Sequence, residues 1–168
     1  MLLIFGGLPA TGKSTISQGV ARELQAVYVR VDSIEQTLGD TGFNKVYDEG
    51  YVIAYKIAAD NLSLGSTVVA DSVNPVKVTR DAWRSVGNSA KATVIEIEIV
   101  CSDQTEHKQR FETRPARIDG LIQPTWEQVL EHEYEPWTTT RIVVDTAGET
   151  SEQSIEKTLS LICIDTVS

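Results

Sequence analysis

Two hydrophobic rhythms alternate along this chain. Leu2–Phe5 is a short unbroken apolar run that stops at glycine, the pattern of a strand buried on both faces. From Lys13 to Gln25, Ile16, Val20 and Leu24 recur every four residues with Ala21 beside them, which predicts one apolar helix face. Val27–Val31 reads as a second strand. Over 46–63, Tyr47, Tyr51, Ala54, Ala58 and Leu62 form one helical stripe, broken by Gly65-Ser66. Thr67–Ala70 predicts a third strand ending at Asp71. Pro75 opens a helix through Val86 that Gly87 closes. Ala92–Val100 is a fourth strand, with Glu96 and Glu98 on the face of Val94 and Val100, an arrangement without a ready account in a buried parallel strand. A polar helix from about Asp103 stops near Arg114-Pro115. Pro124 starts another through about Tyr134, Arg141–Asp145 is the fifth strand, and a last helix runs from Ser151 to Ile164. Strands alternating with helices predict an α/β fold, a five-stranded parallel sheet with helices on both faces.

The junction between the first strand and the first helix carries the chemistry. Residues 6–15 read GGLPATGKST, and Gly7 to Ser14 fit G-x-x-x-x-G-K-[ST] between a strand and an amphipathic helix, as the phosphate-binding loop requires. Glycine admits backbone conformations closed to other residues, so successive N–H groups turn into one concavity. The helix beginning near Lys13 adds its positive dipole end. Gly7, Pro9, Ala10, Thr11, Gly12, Lys13, Ser14 and Thr15 are therefore the expected nucleotide cradle. Lys13 is placed on the β- and γ-phosphates and Ser14 on Mg²⁺.

Composition narrows the partners. The chain has 168 residues, enough for one domain over 1–168, and 24 acidic against 15 basic side chains give a net charge of −9. Such a surface repels phosphate backbones, so nucleic acid is a disfavoured partner. Cys101 and Cys163 lie far apart without metal-ligand spacing, the pattern of reduced thiols. MLLIF is too short for a signal-peptide core, and no apolar run reaches the roughly 18 residues of a membrane span, so a soluble cytoplasmic protein is expected. Oligomeric state is left open.

Asp145–Glu149 reads DTAGE, like the switch of small GTPases, but no Asn-Lys-x-Asp follows it to read guanine. Motor and ring ATPases need a strand ending in Asp-Glu, whereas Asp32, Asp71 and Asp145 are each followed by Ser or Thr. The loop instead resembles the G-x-P-x-x-G-K-S-T loop of a group of small P-loop kinases containing zeta toxins, gluconate kinase, chloramphenicol phosphotransferase and phage polynucleotide kinase. VRVDSIEQ, VVADSVNP and HKQRFETRPARIDGL extend the similarity over most of the chain. DSVNP, PTWEQV and YEPW look most like uncharacterised bacterial ATP-binding members of that group.

The resemblance implies sheet order 2-3-1-4-5 and transfer of the γ-phosphoryl of ATP, with Mg²⁺, to a hydroxyl of a small molecule. Asp32 matches the aspartate that approaches the acceptor hydroxyl as general base; its ordinary alternative is to cap a helix from Ser33. Asp71 is expected to hold the metal's water shell or contact the acceptor, or else to pair with Asn74 as a turn residue. Asp32, Asp71 and Asn74 are the expected acceptor pocket, with Arg80 better explained as a surface residue. Arg110, Arg114 and Arg117 suggest an arginine-bearing lid over about 104–123, with Arg110 and Arg114 the leading phosphate contacts. Asp145 and Thr146 begin the loop past the adenine. His107 and His132 read as surface histidines, and Trp83, Trp126 and Trp137 as packing residues. Glu35, where the phage enzyme has a basic residue, argues for a neutral or cationic acceptor such as a sugar, a nucleoside or an antibiotic. The alternatives are a polynucleotide 5′-hydroxyl kinase and a non-enzymatic ATP-binding switch.

Overall fold

The computed structural model describes residues 1–42, 47–113, 125–130 and 134–165. In chain order the elements are β1 (Leu2–Gly6), α1 (Lys13–Glu23), β2 (Val27–Arg30), α2 (Val31–Asp40), α3 (Glu49–Ser63), β3 (Val68–Asp71), α4 (Lys77–Ser89), β4 (Val94–Val100), α5 (Gln104–Thr113), α6 (Trp126–Leu130), β5 (Ile142–Asp145) and α7 (Ser151–Asp165). The five strands are parallel in the order β2-β3-β1-β4-β5, as expected from sequence.

The strands read as continuous apolar runs because both faces are covered. Leu3, Phe5, Val69, Ile95, Ile97, Ile99 and Val144 point to one side and pack on α1 and α7 through Ile16, Val20 and Ile162. Leu2, Ile4, Val68 and Ala70 point to the other and pack on α3 and α4 through Ala54, Ala58, Leu62 and Trp83. Truncating a fully buried member such as Leu3 to Ala is expected to cost about 2–5 kcal/mol. This parity also fixes the sheet's chemistry. Asp71 pairs in register with Phe5 and shares the side of Val69, toward α1.

Several boundaries differ from expectation for physical reasons. Gly87 does not close α4 but lies inside it. A Cβ there would sit 2.3 Å from Val94 Cγ2 and 3.2 Å from Leu2 Cδ2, so the glycine permits close approach of helix and sheet. Helix α2 starts at Val31, so Asp32 falls in its first turn and Arg30 takes the N-cap position without a side-chain cap bond. The stripe expected from 46 begins as helix only at Glu49, and Tyr47 is 73% exposed while Tyr51 and Tyr55 join the core on the α3 side.

Glu96 and Glu98 now have an account. Both are buried, facing the segment from Tyr134 to Arg141, which runs over β4. Glu96 accepts from Arg84 Nη1 at 2.8 Å and Thr139 Oγ1 at 2.6 Å. Glu98 accepts from Arg141 Nε at 2.5 Å and Tyr134 OH at 3.2 Å. The carboxylates tie this segment to the sheet, with their charges paired as burial demands. Arg80 is also buried, against expectation. It donates to the carbonyls of Asn74, Pro75 and Pro136, and its guanidinium lies 4.7 Å from the Trp137 ring centroid.

Candidate active site

The loop between β1 and α1 is built from three residues with positive φ, Gly7 (143°), Ala10 (67°) and Gly12 (92°). Gly7 is required twice over, because a Cβ there would also lie 2.3 Å from the Ile99 carbonyl oxygen. Thr11 Oγ1 donates back to Leu8 O at 2.9 Å and closes the loop. Gly12 starts α1 with no side-chain cap. The first-turn amides therefore face the cleft in front of them as donors for an anion.

That cleft holds about 520 Å³. Pro9, Ala10, Gly12, Lys13, Ser14 and Thr15 form its floor. Asp32, Arg110 and Thr146 line it as well, with Arg110 and Thr146 packed beside Gly12. The structure thus brings together most of the residues singled out in the sequence. Glu149, Thr150, Ser151 and Ser154 also line it, beyond Thr146. Nothing in their residue types announced this; only the position of the loop after β5 does.

Lys13 and Asp71 form the electrostatic centre. Lys13 Nζ lies 2.5 Å from Asp71 Oδ1, and the Asp71 side chain is fully buried. Tyr28 OH donates to Asp71 Oδ2 at 2.5 Å, and Arg30 Nε stands 3.9 Å from the same oxygen. Burial pushes the Asp71 carboxyl up, but the Lys13 ammonium and the hydroxyls of Tyr28 and Ser14 outweigh it and hold the group below its ordinary range. The converse acts on Tyr28, whose phenol is pushed up by burial and by the adjacent carboxylate. Tyr28 was missed in the sequence, although strand parity places it on the α1 side of the sheet near Lys13.

Asp71 does not pair with Asn74. The buried Asn74 donates through Nδ2 to Phe5 O at 2.8 Å, and its φ of 50° turns the chain after β3. Asp32 Oδ2 accepts from Arg30 Nη2 at 3.1 Å. Glu35, one helical turn on, packs against Gly50. Burial and the neighbouring Asp32 charge raise the Glu35 carboxyl above its ordinary value.

Arg110 donates to Thr146 Oγ1 at 2.8 Å, to Thr146 O at 2.9 Å and to Glu106 Oε1 at 2.6 Å. Glu106 Oε2 in turn accepts from Gly148 N at 2.9 Å. Asp145 lies behind this loop rather than in the cleft. It accepts from the amides of Ser102 and Ala147, and its carboxyl is lowered chiefly by the Ser102 hydroxyl and further by these two amides. His107 is buried, not on the surface, with Nε2 2.8 Å from the Pro9 carbonyl. Trp83 and Trp137 are buried packing residues and Trp126 is partly so. Arg114, Arg117, His132 and the second half of the expected lid fall outside the described residues, while its first half is α5. Among the described residues, no helix is long and apolar enough to cross a membrane, and no group of three metal-binding side chains occurs.

A phosphate-loop cradle on a 2-3-1-4-5 sheet has many owners, and comparison with known proteins decides among them. A family described as AAA domain matches residues 2–133. The chain belongs to this family of P-loop kinases. An adenylyl-sulfate kinase from Synechococcus sp. (strain JA-3-3Ab) is 31% identical over 166 residues, which cover 94% of this chain and 89% of that protein. Among solved structures, the APS kinase of Mycobacterium tuberculosis in complex with AMPPNP and APS has a TM-score of 0.71 at 17% identity, with 96% of each chain covered. A gluconokinase from Sinorhizobium meliloti 1021 has a TM-score of 0.65 at 15% identity, covering 94% of this chain and 89% of that one. The kinase has the fold of these proteins, and its resemblance to P-loop small-molecule kinases stands. Although the family carries the AAA name, the kinase has no strand-ending Asp-Glu: Ser72 follows Asp71 and Thr146 follows Asp145.

Proposed function

We propose that this kinase moves the γ-phosphoryl of ATP to a hydroxyl group of a small neutral or cationic acceptor. The observation that carries the reading is that the phosphate loop, Arg110 and Asp32 line one and the same cleft. In this assignment the triphosphate lies along the loop amides, with Lys13 neutralising the terminal phosphates and Arg110, whose guanidinium lies beside Gly12, adding a second positive charge. Asp32 orients the acceptor hydroxyl and takes its proton as the new O–P bond forms. ADP leaves as the bond between the γ-phosphorus and its bridging oxygen breaks. In the same assignment Arg114 is a second phosphate contact, the fully buried Asp71 and Asn74 support the acceptor side, and Asp145 and Thr146 begin the loop beside the base.

The residues suit a magnesium ion. Ser14 offers a hydroxyl on the cleft floor, and Asp71 supplies a buried carboxylate within reach of that hydroxyl. Bound there, the ion would neutralise phosphate charge. The acidic acceptor end sets the expected chemistry apart from that of a phosphate-bearing acceptor. Glu35 adds a second carboxyl beside Asp32, and Arg30 is already engaged by Asp32 and Asp71.

Acceptor-dependent ADP release, measured across sugars, amino sugars, nucleosides, adenylyl sulfate and a 5′-hydroxyl oligonucleotide, tests the reading. Stimulation by a neutral or amine-bearing alcohol is expected, and Asp32→Asn should lower that rate by about 10²–10⁴-fold with ATP affinity retained. Equal rates for Asp32→Asn and the wild type would remove Asp32 from the chemistry. ATP binding without stimulation by any acceptor would favour a nucleotide-dependent switch.

A further inference from the structure

We propose that His107 is a positioning residue for phosphoryl transfer: it holds the Pro9–Ala10 peptide so that the Ala10 N–H faces the nucleotide's phosphates. The inference rests on the phosphotransfer reading of the cleft. It starts from a bond that joins α5 to the phosphate loop across nearly a hundred residues of sequence. His107 Nε2 lies 2.8 Å from Pro9 O. A carbonyl only accepts, so Nε2 carries the proton and donates.

The geometry of the peptide does the rest. The described backbone has no cis peptide bond, and in a trans peptide the carbonyl and the N–H point in opposite directions. Pulling Pro9 O toward α5 turns the Ala10 N–H away from α5 and into the cleft that Pro9 and Ala10 line. This peptide needs an external hold. Ala10 has φ of 67°, a left-handed conformation that alanine adopts reluctantly, and glycine is absent from this position. The bond to His107 is the constraint that stabilises it.

His107 is itself fixed. It is 6% exposed, and the Trp126 ring meets it edge-on at 4.9 Å between centroids, with Phe111 5.8 Å from the same tryptophan. On α5 the preceding residue, Glu106, and Arg110 one turn on grip the loop after β5 through Gly148 and Thr146. Helix α5 thus bridges both walls of the cleft, and His107 is the contact that sets the phosphate side. A main-chain donor displaced there acts on the transition state, where negative charge spreads over the phosphoryl group and its bridging oxygen.

The test compares three variants. Gln at 107 carries a side-chain N–H at about the reach of Nε2, Asn is too short, and Leu has no donor. Two readouts are used at temperatures where melting curves show folded protein: kcat at saturating ATP, and the chemical shift of the Ala10 backbone amide on adding AMPPNP with magnesium. The wild type and His107→Gln should show the same downfield movement of the Ala10 amide. His107→Leu and His107→Asn should lose most of it and lose about tenfold to a hundredfold in kcat, with a much smaller change in KM for ATP. An Ala10 shift and a kcat unchanged in both His107→Leu and His107→Asn would overturn the proposal. So would an equal loss in Gln and Asn, which marks a packing role alone. Should His107→Leu fail to fold, the Gln and Asn pair decides. The amide shift needs nucleotide but no acceptor, so a wild-type protein that turns over nothing counts against the phosphotransfer reading while the role of His107 is still measured.

Discussion

Replacing Asp71 by Asn removes one charge from the buried pair that it forms with Lys13 of the cleft, without changing the side chain's shape. Lys13 Nζ lies 2.5 Å from this carboxylate, and the two side chains are 7% and 0% exposed. Breaking a buried pair on one side leaves the other charge uncompensated and costs about 3–5 kcal/mol. Asn keeps a carbonyl that still accepts from Lys13 or Tyr28, so the lower end, about 3 kcal/mol, is expected. Against the 5–15 kcal/mol typical of a whole domain, that loss is easily measured. Urea unfolding of the wild type, Asp71→Asn, Lys13→Met and the double variant gives the coupling directly. The double variant should be more stable than Asp71→Asn, because the orphaned ammonium is gone.

Two further arms sharpen this prediction. Saturating ATP supplies phosphate charge to Lys13 in place of the carboxylate, so the deficit of Asp71→Asn should shrink when nucleotide is bound. The pH arm follows from the lowered Asp71 carboxyl. A depressed folded value contributes stability above the ordinary carboxylate range and loses it as pH falls through the folded value. The gap between wild type and Asp71→Asn should therefore be full at neutral pH and close in acid. Additive single and double variants, or an Asp71→Asn protein within about 0.5 kcal/mol of wild type at neutral pH, would refute the assignment of the pair as the electrostatic centre.

Two more outcomes follow from the same geometry. Gly7→Ala should lose about 3 kcal/mol or more of stability in urea unfolding, and nucleotide binding with it, because its Cβ would collide with the Ile99 carbonyl 2.3 Å away at a φ of 143°. Glu35→Gln should be more stable than wild type at neutral pH and no different in acid. The Glu35 carboxyl is raised by burial and by Asp32, so it stabilises the fold relative to higher pH only while protonated and loses that contribution as pH rises through the folded value; thermal melting across the acid-to-neutral range reads the difference.

Much of this molecule is decided within short stretches of chain. The period of apolar positions predicts five strands and several of the helices between them, though not α2 or the polar α5, because a doubly covered strand must be apolar throughout and a helix on its face must be apolar every third or fourth residue. The phosphate loop is equally local, since the conformations at Gly7 and Gly12 are ones that glycine alone adopts readily. Long-range pairing decides the remainder. His107, Arg80 and Glu98 belong to residue types that solvent usually claims, and each is buried because a partner distant in sequence satisfies it: the Pro9 carbonyl, the Pro136 carbonyl and the Arg141 guanidinium. No local pattern encodes those partners. The helix α4 runs through Gly87 for the same reason, since the atoms that make the glycine necessary belong to Leu2 and Val94. Residue type and spacing determine what each segment can form and which anion its loop can hold, while only the packing of the sheet and its covering segments determines which charges meet and which polar groups are shielded from water.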